Sequence, residues 1–407
     1  MNEKAYSSRG KPLRIAVIGG AGHVGLPLSL VLADRGFHVT IVDTDEARMR
    51  QIQDGDFPFL EQGGDELLAK LREQGRDLAY TSSYKAVEAC DAVIVTIGTP
   101  IDEFLNPSTK EMIRCFESLL PYLSARQLVV LRSTVSPGTT EWLDRYLRSK
   151  GKAVKLAFCP ERILQGQAIQ ELQGLPQIIS GTTSEAEGMA AVLFSSIAPQ
   201  LVYLKPMEAE FAKLYCNVYR YIQFAISNQF FMIANSAGLD FYRILDGMKT
   251  GYRRMQDMPR AGFAAGPCLF KDTMQLSAFC SNEFSLGSSA MLINEGLPLY
   301  MVDQIARQHD LSNLTVGLLG VAFKADSDDP RSSLSYKLKK VLLFRAKKVL
   351  TTDPHVKGDP ELMPLNEVVE KSDLLILCAP HAEYKNLESG SKPVFDVWNY
   401  YGRGALI

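Results

Sequence analysis

The 407-residue sequence contains little that would hold a metal or a disulfide framework. Its seven cysteines are scattered and form no CxxC pair, so neither a zinc site nor a set of disulfides is predicted. The five histidines show no ligand spacing, and we assign no metal. Scattered reduced thiols are typical of a cytoplasmic protein, which gives the expected location.

Long apolar runs and a large excess of one charge are also missing. No stretch approaches the roughly 20 apolar residues needed to span a bilayer, and the polar residues 1–14 lack the apolar core of a secretory signal. A formal net charge of −2 provides no basic field for nucleic acid or an acidic membrane. We therefore expect a soluble protein that binds neither nucleic acid nor membrane.

Strand and helix patterns alternate at both ends of the chain. RIAVIGG (14–20), a helical stretch (23–36) and FHVTIVD (37–43) form a predicted βαβ unit. Further strands are predicted at 92–100, 127–135, 155–160, 314–323, 347–354, 373–380 and 392–399. The predicted fold class is α/β, with two Rossmann-like, doubly wound domains joined by a central helical domain with a long helix. The predicted limits are 1–200, 201–300 and 301–407, and the long helix covers 207–238.

A glycine motif, GAGHVG, lies between the first predicted strand and helix. Gly20 and Gly22 allow a tight turn and close approach of a pyrophosphate, and Gly25 permits close helix–strand packing. Asp43 ends the next strand 18 residues after Gly25, where it would accept hydrogen bonds from ribose hydroxyls and repel a 2′-phosphate. The alternative is a turn without ligand, but strand, helix and acid in register favour NAD binding.

Three polar residues of the long helix, Lys213, Asn217 and Arg220, fall on one face, opposite an apolar stripe. Periodicity alone favours a solvated face for them. The spacing also makes a usable site, because a cation and an amide one turn apart can hold an oxyanion.

Other residues have two interpretations each. Glu161 follows the strand-ending Pro160 and would be either a general base at the ligand-binding edge of a sheet or a glutamate at a helix start. Cys268 would be either a nucleophile or, as a lone cysteine more often is, a small core residue. In GVAFKADSDDPRSS (320–333), Lys324 and Arg331 would either bind phosphate or belong to a charged surface loop.

Several segments, in this order, resemble the nucleotide-sugar 6-dehydrogenases of the UDP-glucose/GDP-mannose dehydrogenase family. The resemblance runs from about residue 14 to 400, through GAGHVGLPL, IGTP, STVSPGTTE, CPERILQG, AEFAKLYCN, PCLFKDT, GVAFKADSDDPRSS and TTDP. It implies an N-terminal NAD domain and a central domain whose long helix forms the core of a dimer. It also implies a C-terminal domain that binds the nucleotide sugar.

The resemblance further implies a reaction. Family members oxidise C6 of a hexose from alcohol to carboxylate, with two NAD and one water. By motif, Cys268 matches the nucleophile that carries a thiohemiacetal and then a thioester, and Glu161 matches the acid–base residue that acts in thioester hydrolysis. The implied catalytic set also contains Lys213 and Asn217 for the oxyanions, and Thr134 and Asp272 for the catalytic water.

The remaining implied contacts divide between cofactor and substrate. For NAD they are Gly20, Gly22, His23, Val24, Gly25, Asp43, Arg48, Gly98, Thr99, Pro100, Ser133, Thr134 and Arg331. For the nucleotide sugar they are Glu161, Leu164, Gln165, Lys213, Asn217, Arg260, Gly262, Phe263, Ala264, Lys324 and, from the neighbouring subunit of a homodimer, Arg254.

The chain departs from the family pattern around the hexose. The stretch before Cys268 reads AAGPC, with Ala265 for a usual glycine and Pro267 before the thiol. Gln165 stands where many UDP-glucose enzymes have glutamate, and Trp398 and Asn399 stand near an expected arginine. We therefore expect a UDP-hexose or UDP-N-acetylhexosamine substrate and a uronate product for polysaccharide biosynthesis. The alternatives are a two-electron hydroxy-acid dehydrogenase and a non-catalytic sugar-nucleotide-binding protein.

Overall fold

The computed structural model of the chain describes residues 13–76 and 78–405. Its internal contacts divide it into two units, Met1–Cys216 and Asn217–Ile407. The boundary falls within the long helix α8 (Pro206–Ser236), for which the sequence predicts 207–238. Among the described residues, no helix is both long and apolar enough to cross a membrane.

The described part of the first unit is built on an eight-stranded sheet with the order β3-β2-β1-β4-β5-β6-β7-β8. The strands from β1 to β6 are parallel, and β7 runs antiparallel to β6. Their bounds are β1 (Arg14–Ile18), β2 (His38–Val42), β3 (Leu78–Thr81), β4 (Ala92–Val95), β5 (Leu128–Leu131), β6 (Lys155–Phe158), β7 (Gln177–Gly181) and β8 (Leu201–Tyr203).

Helices cover both faces of this sheet. They are α1 (Gly25–Asp34), α2 (Glu46–Asp54), α3 (Gly64–Glu73), α4 (Lys110–Leu119), α5 (Thr139–Ser149), α6 (Ala168–Gly174) and α7 (Ser184–Phe194). Successive residues of β1 enter different cores, Ile15 and Val17 on one face and Ala16 and Ile18 on the other. Because both faces are buried, the strands appear in the sequence as continuous apolar runs.

The second unit pairs helices with a smaller, fully parallel sheet, described in the order β10-β9-β11-β12. Its strands are β9 (Thr315–Leu319), β10 (Lys348–Thr352), β11 (Leu374–Leu377) and β12 (Val394–Phe395). Besides the rest of α8, its helices are α9 (Phe241–Lys249), α10 (Leu269–Phe279), α11 (Ser285–Gln308), α12 (Leu334–Leu343) and α13 (Leu365–Lys371).

The predicted fold class is confirmed, although several strand limits are not. The strand predicted at 92–100 ends at Val95, and the hydroxyl of the next residue, Thr96, lies within hydrogen-bond distance of the carbonyl oxygens of Ile18 and Gly19. The apolar run therefore continues into a loop rather than into a longer strand. The sequence does not predict β3, β7 or β8; β3 and β8 have no fully buried residue and so lack a strong apolar signal.

Candidate active site

The turn after β1 allows a ligand to approach the backbone closely. Gly19 has a φ of +76°, which favours glycine. A Cβ at Gly25 would lie 2.3 Å from the carbonyl oxygen of Gly19, so the start of α1 requires a glycine. No N-cap side chain accepts a hydrogen bond from α1, whose first N–H groups therefore favour an anion such as a diphosphate. The turn, which also contains Gly20, Gly22, His23 and Val24, fits a dinucleotide.

Asp43 follows β2 and reaches this turn. Its Oδ2 accepts from the N–H of Ala21 and its Oδ1 from the N–H of Asp45, both at 3.0 Å. Arg48 lies in the first turn of α2, and its N–H donates to Asp45 Oδ1 at 2.9 Å. A carboxylate can accept about four hydrogen bonds. Asp43 therefore retains acceptor capacity for the hydroxyls of a ribose.

Two loops meet at the carboxyl ends of β4 and β5. Thr99 Oγ1 donates to the carbonyl oxygen of Thr134 at 2.6 Å, and Ser133 Oγ donates to that of Ile97 at 2.7 Å. Gly98 and Pro100 flank Thr99. The structure thus joins two of the segments assigned to NAD at the edge of the sheet where parallel α/β folds bind ligands.

Glu161 and Lys213 form a buried ion pair. Lys213 Nζ lies 3.0 Å from Glu161 Oε1, and Lys213 is only 4% exposed. Glu161 does not start a helix, because α6 begins seven residues later; its Oε2 accepts from the N–H of Ile163. The fully buried Arg132 also interacts electrostatically with Glu161. Two cations therefore act on one carboxylate, which makes this pocket favourable for a developing negative charge.

The loop after Glu161 contacts the glycine turn. Gln165 Nε2 lies 3.2 Å from His23 Nδ1, and the His23 ring lies 4.0 Å from that of Phe59. Glu61 holds the same loop through the N–H groups of Gly166 and Ile169, while the N–H of Leu164 donates to Glu171. A residue assigned to the sugar and one assigned to NAD are thus direct neighbours.

Cys268 is exposed and is not a core residue, which overturns the structural interpretation of this cysteine. It occupies the N-cap position of α10. A thiolate is favoured at the N-terminus of a helix. Gly266, with a φ of +101°, donates its N–H to the carbonyl oxygen of Ser332, and a Cβ there would lie 2.5 Å from the Phe323 ring. The loop around 320–333 therefore packs directly behind the nucleophile candidate.

The residues after Cys268 are fixed by a buried carboxylate. Asp272, which is 0% exposed, accepts from Asn217 Nδ2 at 2.5 Å and lies 2.6 Å from Lys271 Nζ. The ammonium group of Lys271 is therefore shared with Asp272 and does not act on the thiol alone. Asn217 is also buried. This arrangement fixes the orientation of the amide that is assigned to the oxyanion.

The burial of polar residues along α8 differs from what the helical periodicity predicts. Lys213 and Asn217 are buried, so the solvated-face interpretation is wrong for both, whereas Arg220 is exposed. Aromatic and aliphatic side chains are exposed instead, namely Tyr215, Tyr219, Ile226, Phe230 and Ile233. Because apolar residues occur around the whole helix, the sequence does not show which of them face the protein interior.

The substrate loop before Cys268 is held by α8 and by the C-terminal segment. Asn228 binds the N–H and the carbonyl oxygen of Gly262 at 2.8 and 3.0 Å. A Cβ at Gly262 would lie 2.1 Å from the Trp398 ring, and Phe263 packs edge-on against the same ring. Arg260 donates to the carbonyl oxygens of Trp398 and Asn399. Phe263 and Ala264 are buried, whereas Arg254 lies on an exposed helical turn.

Arg331 forms a bidentate ion pair with the buried Asp329, at 2.6 to 3.0 Å. The hydrogen bond to Asp329 raises the pKa of Arg331, and the charges of Asp329 and of the nearby Cys268 add to this effect. Lys324 is half-buried in the same loop. The charged-surface-loop interpretation is therefore too simple, since Asp329 is buried and Arg331 interacts electrostatically with Cys268.

Sequence reasoning missed four buried polar residues that shape these sites: Glu61, Arg132, Glu210 and Asn228. All but Glu61 lie inside segments already noted, and Glu210 is the second residue of AEFAKLYCN. Glu210 precedes Lys213 by three residues and therefore shares its face of the helix. For Glu210, this spacing was the signal from which the sequence could have predicted a buried polar residue.

Three family profiles match the chain: the NAD binding domain over 13–198, the central domain over 207–296 and the UDP binding domain over 317–403. The chain belongs to the UDP-glucose/GDP-mannose dehydrogenase family. It is 30% identical to UDP-N-acetyl-D-mannosamine dehydrogenase of Methanococcus vannielii over 388 residues, which cover 92% of this chain and 88% of that protein.

Two solved structures of the family share the fold closely. UDP-D-ManNAc dehydrogenase from Pyrococcus horikoshii superposes with a TM-score of 0.88 at 26% identity, covering 95% of this chain and 96% of that one. UDP-glucose dehydrogenase from Pyrobaculum islandicum has a TM-score of 0.88 at 25% identity, with coverages of 98% and 96%. The expected family, fold class and NAD-dependent nucleotide-sugar dehydrogenase activity are confirmed. The assignments of individual site residues and of the three domain limits stay predictions.

Proposed function

We propose that the chain oxidises C6 of a UDP-N-acetylhexosamine to the uronate in a four-electron reaction. The names of relatives support this sugar class, since UDP-N-acetyl-D-mannosamine dehydrogenases are among the similar proteins. The observation that carries the chemistry is Cys268, an exposed thiol at a helix N-terminus that interacts electrostatically with Arg331. Neither a two-electron dehydrogenase nor a sugar sensor has a use for such a thiol.

The proposed reaction converts one alcohol, two NAD⁺ and one water into one carboxylate, two NADH and three protons. NAD, held at the glycine turn, Asp43 and the loops with Thr99 and Ser133, supplies the acceptor for both oxidations when bound. Cys268 Sγ forms a bond to the C6 carbon of the aldehyde, and the product of the second oxidation is a thioester. Water then breaks the C–S bond and releases the thiol.

The remaining catalytic residues stabilise charge and position water. Lys213 and Asn217 donate hydrogen bonds to the oxygen on C6 as it becomes negative. Glu161 accepts a proton from the water that attacks the thioester, and its ion pair with Lys213 sets its orientation in the resting protein. Thr134 and Asp272 order that water, and Asp272 also holds the amide of Asn217.

We further propose a homodimer through the exposed apolar face of the second unit. Ile226, Phe230 and Ile233 on α8 and Leu292 and Leu299 on α11 are between 43% and 68% exposed. A monomer rarely leaves such a patch open to water. In the dimer, Arg254 would reach the hexose of the neighbouring subunit. A cytoplasmic location also stays a proposal, supported by the lack of disulfides among the described cysteines.

The test is a screen of UDP- and GDP-sugars that follows NADH and identifies the acid product. We expect the highest kcat/KM with a UDP-N-acetylhexosamine. Cys268→Ser should bind the sugar but form no acid, whereas Cys280→Ser, at the other end of α10, should behave like the unaltered protein. Preference for a GDP-sugar, or acid formation by C268S, would contradict the proposal.

A further inference from the structure

Glu210 is a buried carboxylate of α8 to which no role has been assigned. It is 1% exposed. Its Oε1 accepts from the N–H of Thr140 at 2.7 Å and from the Thr140 hydroxyl at 2.6 Å, and its Oε2 accepts from the N–H of Gly138 at 2.6 Å. An N–H group on each oxygen favours the ionised carboxylate. Burial raises the pKa of Glu210, and the hydrogen bonds from Thr140 and Gly138 act against this rise.

The donors belong to the N-terminus of α5. Gly138 occupies the N-cap position with a φ of +87° and has no side chain that could cap the helix. Glu210 therefore supplies the cap from another helix. A negative charge at this end of α5 also interacts favourably with the helix dipole. The start of α5 is thus fixed to α8 as well as to the preceding Ser136, whose carbonyl oxygen accepts from the N–H and the hydroxyl of Thr139.

Both sides of this connection lead to proposed catalytic residues of the first unit. The loop that enters α5 carries Thr134, whose carbonyl oxygen binds Thr99 at 2.6 Å. On α8, Lys213 follows Glu210 by three residues and binds Glu161 at 3.0 Å. Fixing α5 to α8 therefore fixes the water-ordering and NAD loop relative to the lysine and the general base.

We propose that Glu210 is a positioning residue that sets the register between the Thr134 loop and the Lys213–Glu161 pair. Its effect on turnover rests on the proposed function. Glu210→Gln removes the charge and places an NH₂ group opposite an N–H or O–H donor, so one of the three hydrogen bonds becomes a repulsion. The loop then shifts away from α8 while the catalytic side chains remain present.

The experiment compares E210Q with E208Q, because Glu208 lies on the same helix and only caps the exposed N–H of Lys205. With the preferred sugar, E210Q should lower kcat per folded enzyme by about 10- to 100-fold, a cost typical of displaced catalytic groups. The KM for the sugar should change by less than about twofold. The Kd of NADH, measured by fluorescence without sugar, should rise about fivefold, as expected from the loss of about one hydrogen bond. E208Q should match the unaltered protein in each measurement.

If E210Q folds poorly, two further variants test the positioning role of Glu210. Thr140→Val removes one donor and should lower kcat about fivefold, and Thr140→Ser should restore it because the hydroxyl remains. If kcat and NADH binding of folded E210Q or T140V equal those of E208Q, the inference is overturned. An unaltered protein that oxidises no nucleotide sugar would reject the proposed function, and the Kd of NADH would then decide on Glu210 by itself.

Discussion

Each of the two α/β sheets begins with a glycine turn held by an aspartate, but the two aspartates have different contacts. In each, a glycine with positive φ follows the first strand, and an aspartate after the second strand accepts backbone N–H groups of that turn: Gly19 with Asp43, and Gly320 with Asp353. In each, another aspartate, Asp91 or Asp373, pairs with the first residue of β1 or β9. The repeated bonds indicate the same βαβ unit at both ends of the chain.

The two units differ in the segment after the turn. In the first unit α1 starts at Gly25, directly after the turn, and Asp43 accepts two backbone hydrogen bonds. In the second unit α12 starts only at Leu334, and Asp353 accepts four backbone N–H groups and lies 3.1 Å from the fully buried His381. At the first turn Asp43 thus keeps acceptors for the ribose of a ligand whose diphosphate binds there. At the second turn His381 occupies Asp353, and we call this the closed turn.

The histidine lies in a group of four possible metal ligands: Asp326, His355, His381 and Glu383. Both ring nitrogens of His381 already have partners, since Nδ1 accepts from the N–H of Asp326 and Nε2 faces Asp353. This group therefore supports the closed turn. The loop between β9 and α12 packs against Gly266, two residues before Cys268.

The largest expected effect is on the stability of the second sheet. Asp353→Asn should lower the free energy of unfolding at pH 7 by about 3–5 kcal/mol, because it leaves the N–H donors and His381 without a buried anion. Asp373→Asn, at the opposite end of the same sheet, should cost only about 1 kcal/mol. Urea unfolding measures both. Equal losses of unfolding free energy in the two variants would mean that the closed turn adds nothing to the stability of the sheet.

The difference in unfolding free energy between D353N and the unaltered protein should also depend on pH. Burial alone would raise the pKa of Asp353, but the hydrogen bond from His381 and the backbone N–H groups outweigh it and hold the pKa well below its usual range. A depressed pKa stabilises the fold above the unfolded value of about 3.9, and this stabilisation is lost as the pH falls further. The gap between D353N and the unaltered protein should therefore be constant from pH 7 to 5 and shrink towards pH 3. A gap that widens in acid would contradict the assignment.

A smaller effect is expected from the corresponding change in the first sheet. Asp43→Asn should raise the KM for NAD about 10- to 100-fold, which corresponds to the ~1.5–3 kcal/mol of a hydrogen bond to a charged group. It should change the free energy of unfolding by only about 1 kcal/mol. Asp91→Asn, at the far end of β1, is the control and should leave the KM unchanged. If D43N destabilises the protein as strongly as D353N, Asp43 serves the stability of its sheet as Asp353 does, and the difference between the two turns is contradicted.

The sequence was sufficient for the layout and for the motif positions. Buried parallel strands such as β1 and β9 are apolar throughout, and GAGHVG marks its turn by itself. Burial within α8 was not predictable, because Leu214 and Tyr215 both belong to the apolar pattern of the helix and only tertiary packing buries the first and exposes the second. The partners of buried groups were equally hidden: Glu210 meets Thr140, and Asp353 meets His381, across 70 and 28 residues of chain.

We propose that one active site, with Cys268 as its nucleophile, carries out both oxidations. The most direct test counts NADH against acid product in a single reaction with limiting sugar and excess NAD. We predict two NADH per uronate for the unaltered protein and no uronate for C268S. A ratio of one, or a C268S protein that still forms acid, would contradict it.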